Sequence, residues 1–148
     1  VRVRRRPQIQ DATSRRCRRP RTLGTVEVHM RASDVLGRWG EDLAAQRLQA
    51  EGLEILDRNW RCPAGEIDIV ARDRQAVVFC EVKTRRGTGY GQPLDAITSV
   101  KALRMRRLAA QWLAANRPAH ALDVRFDVVG ILVASPEPVI EYLRGVLG

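Results

Sequence analysis

The period of apolar and polar positions changes several times along this chain. In "SDVLGRWGEDLAAQRLQAEG", residues 33–52, Leu36, Trp39, Leu43, Ala44 and Leu48 recur at helical spacing. That predicts a helix capped by Ser33 or Asp34 and stopped by Gly52. Three short runs rich in β-branched residues follow: "LEILDRNWR" (53–61), "EIDIVAR" (66–72) and "AVVFCEVKT" (76–84), parted by the turn signals "CPAG" and "RDRQ". They read as an antiparallel meander. "RRGTGYGQP" (85–93) is a loop, a second helix runs from about Leu94 to Asn116 and is closed by Pro118, and "DVRFDVVGILV" (123–133) and "VIEYLRG" (139–145) are strands about the turn "SPEP". The order α-β-β-β-α-β-β, without an internal repeat, predicts an α/β fold: a mixed central sheet flanked by helices.

Charges inside two of these strands break the apolar pattern. Side chains alternate along a strand, so Glu66, Asp68 and Val70 are expected on one face and Ile67 and Ile69 on the other. In the next strand Phe79, Glu81 and Lys83 share a face, opposite Cys80 and Val82. A hairpin through "RDRQ" then gathers Asp68, Glu81 and Lys83 on one patch. Close carboxylates repel, and a divalent cation relieves the repulsion. Mg²⁺ takes one or two carboxylates, waters and substrate phosphate oxygens, and two acids plus a backbone carbonyl fit that demand. Lys83 could orient or deprotonate an attacking water, or stabilise charge on a phosphate. The competing reading is cross-strand ion pairing on a wet face, with Lys83 answering Glu81 or Asp68.

Two helix positions favour the chemical reading. Glu41 flanks the apolar stripe of the first helix among small residues, where it can reach the sheet. Lys101 is in line with Met105, Leu108 and Trp112 on the second helix and is expected to point toward the same patch. Trp39, Trp60 and Trp112 fit a core better than a base-stacking platform.

Composition adds less than it first suggests. The net charge is +9, but residues 1–33 hold ten arginines against Asp11 and Glu27, so +8 of it lies there. The segment has few large apolar side chains and is expected to be disordered, leaving residues 34–148 as one domain. It is either a solvated nucleic-acid-binding arm or a stretch upstream of a true start at Met30. It lacks the apolar core of a secretory signal, and no apolar run approaches a membrane span, so a cytoplasmic protein with no membrane partner is expected. Cys17, Cys62 and Cys80 fit free thiols rather than disulfides or a zinc site. His29 and His120 lack ligand spacing.

The strings "GRWGEDLAAQRLQAEG", "DRNWRCPAGEIDIVARD", "VVFCEVKTR", "GQPLDAITSVKALRMRRLA" and "RFDVVGI" span residues 37–131. On them the chain resembles the YraN family, itself similar to PD-(D/E)xK nucleases of the Holliday junction resolvase type. G-E-I-D followed after twelve residues by E-V-K is far more specific than a bare E-x-K. The resemblance implies a restriction-endonuclease-like αβββαβ core with its site at the splayed edge of the central hairpin. It implies Glu41 as the helix acid, Asp68 and Glu81 as metal ligands and Lys83 as the catalytic lysine. It places Lys101 with a phosphate-contacting or site-orienting group. Gly65, Gly91, Arg85, Arg125 and Asp127 match the family pattern too, the glycines as turn requirements, Arg85 as a phosphate contact and Arg125 with Asp127 as a structural pair.

The expected function is therefore a Mg²⁺- or Mn²⁺-dependent endonuclease acting on DNA rather than RNA, with branched DNA a candidate substrate. Arg85, Arg86, Lys101 and Arg104, with Arg106 and Arg107, would hold phosphates, which position a substrate without reading its sequence. The alternative is a nucleic-acid-binding protein of the same fold without turnover. A homodimer is compatible with the resemblance, and Glu66 is left without an assigned role.

Overall fold

Two neighbouring segments are buried at every position: Val77 to Cys80, and Phe126 to Ile131. Unbroken burial requires strands covered on both faces, which parallel pairs joined by a helical crossover provide. The computed structural model describes residues 31–87, 97–119 and 123–147. Its elements are α1 (Ala32–Ala50), β1 (Glu54–Cys62), β2 (Gly65–Asp73), β3 (Ala76–Arg86), α2 (Ser99–Asn116), β4 (Asp123–Val133) and β5 (Val139–Leu143). The sheet order is β1-β2-β3-β4-β5. Only the β3/β4 pair is parallel, with Cys80 beside Asp127 and Lys83 beside Gly130; the other three pairs are antiparallel. The expected meander and mixed α/β sheet are thus present.

Alternation divides the core into two layers. On one face Ala44, Ala45 and Leu48 of α1 pack on Ile69, Ala71, Val78, Cys80, Val129 and Ile131. On the other, Met105, Leu108, Ala109 and Trp112 of α2 pack on Ile67, Val70, Val77, Phe79 and Phe126. Trp112 meets Phe79 edge to face at 5.7 Å and donates its indole N–H to Asp57, so its polar tip is satisfied within the core. Cys80 is buried as expected, and burial pushes its thiol well above the usual range.

Several boundaries shift. The first helix begins at Ala32 with Arg31 at its N-cap and no side-chain cap; Ser33 and Asp34 lie inside it. The second begins at Ser99, not Leu94, because Thr98 caps it by accepting from the Lys101 N–H. It ends at Asn116, as expected, with Arg117 as C-cap at a left-handed φ of 40° before Pro118. Trp39 was expected in the apolar stripe but is 37% exposed, and Val35 is exposed too, since the stripe meets the sheet only from Gly40 onward. Most of the Arg-rich N-terminal segment, residues 88–96 with Gly91 and the expected start of the second helix, and His120 lie outside the described residues. Among the described residues no helix is long and apolar enough to cross a membrane.

Gly40 sets how closely α1 approaches β3. A Cβ there would overlap the Thr84 hydroxyl and lie 3.0 Å from Thr84 Cβ and 3.2 Å from its Cγ2, so rotating Thr84 brings no relief. Nothing lies within 4 Å of a Cβ at Gly37, one turn earlier. Gly40→Ala is therefore expected to cost about 1–3 kcal/mol by overpacking. Gly37→Ala should gain up to about 1 kcal/mol from helix propensity alone. Urea denaturation of the two variants tests the contrast, and equal effects would show that the α1–β3 contact yields freely.

Candidate functional site

The ladder between β2 and β3 ends at Ile69↔Cys80, and beyond it the two strands part. Asp68 stands where they part. Its Oδ2 accepts the Val82 N–H at 2.8 Å, so a side-chain carboxylate fills the place of the missing ladder carbonyl. Strict alternation fails here. Ile67 packs with Val70 in the α2 layer, whereas Ile69 lies in the α1 layer, so the expected pairing of Ile67 with Ile69 on one face does not occur. Asn59 of β1, between Arg58↔Ile69 and Trp60↔Ile67, has a left-handed φ of 51°.

The neighbourhood of Asp68 is acidic. Its pKa is pushed up to about 7, first by burial, then by Glu81 and more weakly by Glu41 and Glu66, against the Val82 hydrogen bond. Each neighbouring acid is held by a different element. Glu41 of α1 accepts from Asn59 Nδ2 at 2.7 Å. Glu81 of β3 is paired with Lys101 of α2, whose Nζ lies 2.5 Å from Oε1. Glu66 is paired with Arg61 across the β1/β2 hairpin at 2.9 Å on an exposed surface. That pair accounts for Glu66 as a solvated hairpin contact.

The two lysines differ in what they touch, and Lys101 reaches the patch as expected. Lys83 is exposed and forms no ion pair among the described residues, which removes the reading in which it answers Glu81 or Asp68. Lys101 is the ammonium that touches Glu81. Arg104, one turn further along α2, lays its guanidinium over the β1/β2 turn: a Cβ at Gly65 would meet its Nη2 at 2.5 Å. Gly65 also has a φ of 142°, so the backbone favours glycine there, and the Arg104 guanidinium rests in the space a side chain would take. Arg85 follows Lys83 on the same face of β3 and Arg86 ends the strand on the other. Arg106 and Arg107 are exposed on α2.

Among the described residues no three acids, cysteines or histidines close in to enclose a metal ion. Asp68 and Glu81 form a two-carboxylate donor set of the kind Mg²⁺ accepts when waters and substrate supply the rest. Sequence reasoning missed Asn59. Its signal was an asparagine inside an otherwise regular strand, a residue that tolerates left-handed backbone and donates an amide.

The comparisons agree among themselves. Residues 40–131 match the family described as "Uncharacterised protein family UPF0102". A UPF0102 protein of Frankia casuarinae is 56% identical over 117 residues, covering 78% of this chain and 98% of that protein. Another, of Beutenbergia cavernae, is 52% identical over 118 residues, covering 79% and 99%. A solved structure, that of Pyrococcus furiosus SfsA in complex with Ca²⁺, is 15% identical with a TM-score of 0.36. The match covers 76% of this chain but 63% of that one, too distant to carry an argument. With more than half of the aligned residues identical to those of relatives matched along nearly their whole length, the chain belongs to family UPF0102, the YraN family.

Proposed function

We propose that this protein is a Mg²⁺- or Mn²⁺-dependent endonuclease that hydrolyses phosphodiester bonds of DNA, with branched DNA as the favoured substrate. The observation that carries this reading is the meeting of Asp68 and Glu81 where β2 and β3 part, with Asp68 half-buried and pushed toward neutrality. A desolvated acid beside another acid is poorly suited to stability and well suited to a cation. Asp68, Glu81 and a backbone carbonyl of β3 would hold the ion, which when bound polarises the phosphate and activates water.

The chain's own groups do the rest. Lys83, open to solvent two residues beyond Glu81, orients the attacking water or stabilises charge on the phosphate. Glu41, fixed by Asn59, adds negative charge toward Asp68. Arg85, Arg86 and Arg104 hold flanking phosphates. The choice of DNA over RNA and of a branched substrate rests on the resemblance to Holliday junction resolvases, as does the possibility of a homodimer.

A second reading has one observation in its favour: Glu81 already has a counter-charge in Lys101, as it would in a nucleic-acid-binding protein without turnover. Incubation with linear and four-way-junction DNA plus Mg²⁺ or Mn²⁺ separates the two. Wild type should cleave, and Asp68→Asn and Lys83→Ala should not. Cleavage that survives both substitutions rules out this site, and DNA binding without cleavage under either cation favours the second reading.

A further inference from the structure

Glu81 is asked to hold a cation, yet its carboxylate is occupied. Lys101 Nζ sits 2.5 Å from Glu81 Oε1, with the two side chains only 27% and 22% exposed. The backbone of Lys101 is anchored as well, since its N–H donates to the capping Thr98 hydroxyl at 3.2 Å. A divalent ion bound through Glu81 would share the carboxylate with this ammonium, contest Oε1 and repel the charge beside it. A lysine suits such an exchange, being a compact charge on a flexible stem, whereas an arginine fork would clamp the carboxylate in two places.

We propose that Lys101 is the built-in counter-ion of the site: it holds Glu81 until a divalent cation displaces it, and the released ammonium then takes a phosphate of the nucleic acid. Cation binding therefore precedes and strengthens nucleic-acid binding. This inference rests on the two-carboxylate cation site proposed above. Arg104 supports the second half of the exchange. It lies three residues after Lys101, on the same side of α2, and its guanidinium already reaches the Gly65 turn at the start of β2. A freed Lys101 and Arg104 would present two cations, one turn apart, toward one backbone. Lys83 stays in place throughout, because it has no ion pair to give up among the described residues.

The test measures Mg²⁺ binding by calorimetry and binding of a hydrolysis-resistant phosphorothioate four-way junction by fluorescence anisotropy. Lys101→Met should bind Mg²⁺ about tenfold tighter than wild type, the scale of one partly exposed ion pair. Lys101→Gln should move the same way, and serves if the methionine variant folds poorly. Wild type should bind the junction about tenfold tighter with Mg²⁺ than without. Both Lys101 variants should lose that gain. Glu81→Gln, which frees Lys101, should bind the junction tightly without Mg²⁺; at pH 8 Asp68→Asn also removes an acid from the site but leaves the pair, and should not. If wild type and Lys101 variants bind Mg²⁺ equally, the exchange is wrong while the cation site stands. If none binds Mg²⁺, the cation site and the exchange fall together.

Discussion

Without divalent cation, Asp68→Asn is expected to be more stable than wild type at pH 8, by on the order of 2–4 kcal/mol, and equal to it near pH 3. Burial and the neighbouring Glu81 raise the folded-state pKa of Asp68 from 3.8 to about 7. Between those values the folded protein keeps a proton that the unfolded chain has lost. The contribution of Asp68 to wild-type stability is therefore full below about pH 4 and is lost as pH rises through 7. Asparagine keeps the shape and can still accept the Val82 N–H, but it has no charge to desolvate. The difference between the two urea-denaturation profiles, taken in EDTA from pH 3 to 9, cancels the titrating groups that do not interact with Asp68 and leaves Asp68 with the neighbouring acids Glu81, Glu41 and Glu66. Parallel profiles would mean that Asp68 is hydrated and ionised like a surface acid. Adding Mg²⁺ at pH 8 should narrow the gap by stabilising wild type more, because only wild type has both carboxylate ligands.

A stability gain from removing a charged side chain says where selection has acted against folding, and that is the physical content of the site. The strand pattern around Asp68 was legible in the sequence, because β-branched runs bounded by turns define β1, β2 and β3 regardless of what lies between them. The strand 123–133 was legible to its ends, since its Asp123 and Val133 bound an apolar run that must be covered on both faces. Which acids approach each other was also legible, from alternation along β3 and the hairpin through residues 72–75.

What alternation could not reveal is the break itself. Ile67 crosses to the α2 layer because β2 pairs with β3 only from Ile69 onward, and nothing in a period-two pattern marks where a ladder ends. That Lys101 rather than Lys83 is the ion-pair partner of Glu81 was not legible for a related reason. Proximity in sequence ties Lys83 to Glu81, but residues two apart on a strand point the same way without meeting. Lys101, twenty residues on, meets Glu81 because α2 packs its first turn over the parted strands. Trp39 shows the limit of the helical stripe: its spacing was right, but the sheet does not extend beneath that turn.

The other buried acid is the counterpart of Asp68, and its replacement should have the opposite sign. Asp127→Ala is expected to cost about 3–5 kcal/mol, because it leaves a partly buried guanidinium and a hydroxyl without their shared acceptor. Asp127 is 0% exposed and fully satisfied. It accepts from Arg125 Nε at 2.9 Å and Nη2 at 3.0 Å, from the Tyr142 hydroxyl at 2.6 Å and from the Gly145 N–H at 2.9 Å. Arg125 continues to Asp73 at 2.8 Å and holds that carboxyl below its usual range. Burial and the bond to Asp127 push the Tyr142 hydroxyl well up. One carboxylate thus ties β4 to β5, to the segment after β5 and, through Arg125, to the end of β2, which is the structural pairing expected of Arg125 and Asp127. Tyr142→Phe removes a single donor and should cost only about 1 kcal/mol. Denaturant titration of both variants measures the contrast. A loss below about 1 kcal/mol for Asp127→Ala would mean that water replaces the network. Mg²⁺ affinity, measured well below the melting temperature, should be unchanged in both variants, since Asp127 faces the α1 layer beside Cys80 while Glu81 faces α2. An acid whose hydrogen bonds are all made within the fold has nothing left to offer a ligand, and Asp68 differs from it in that respect.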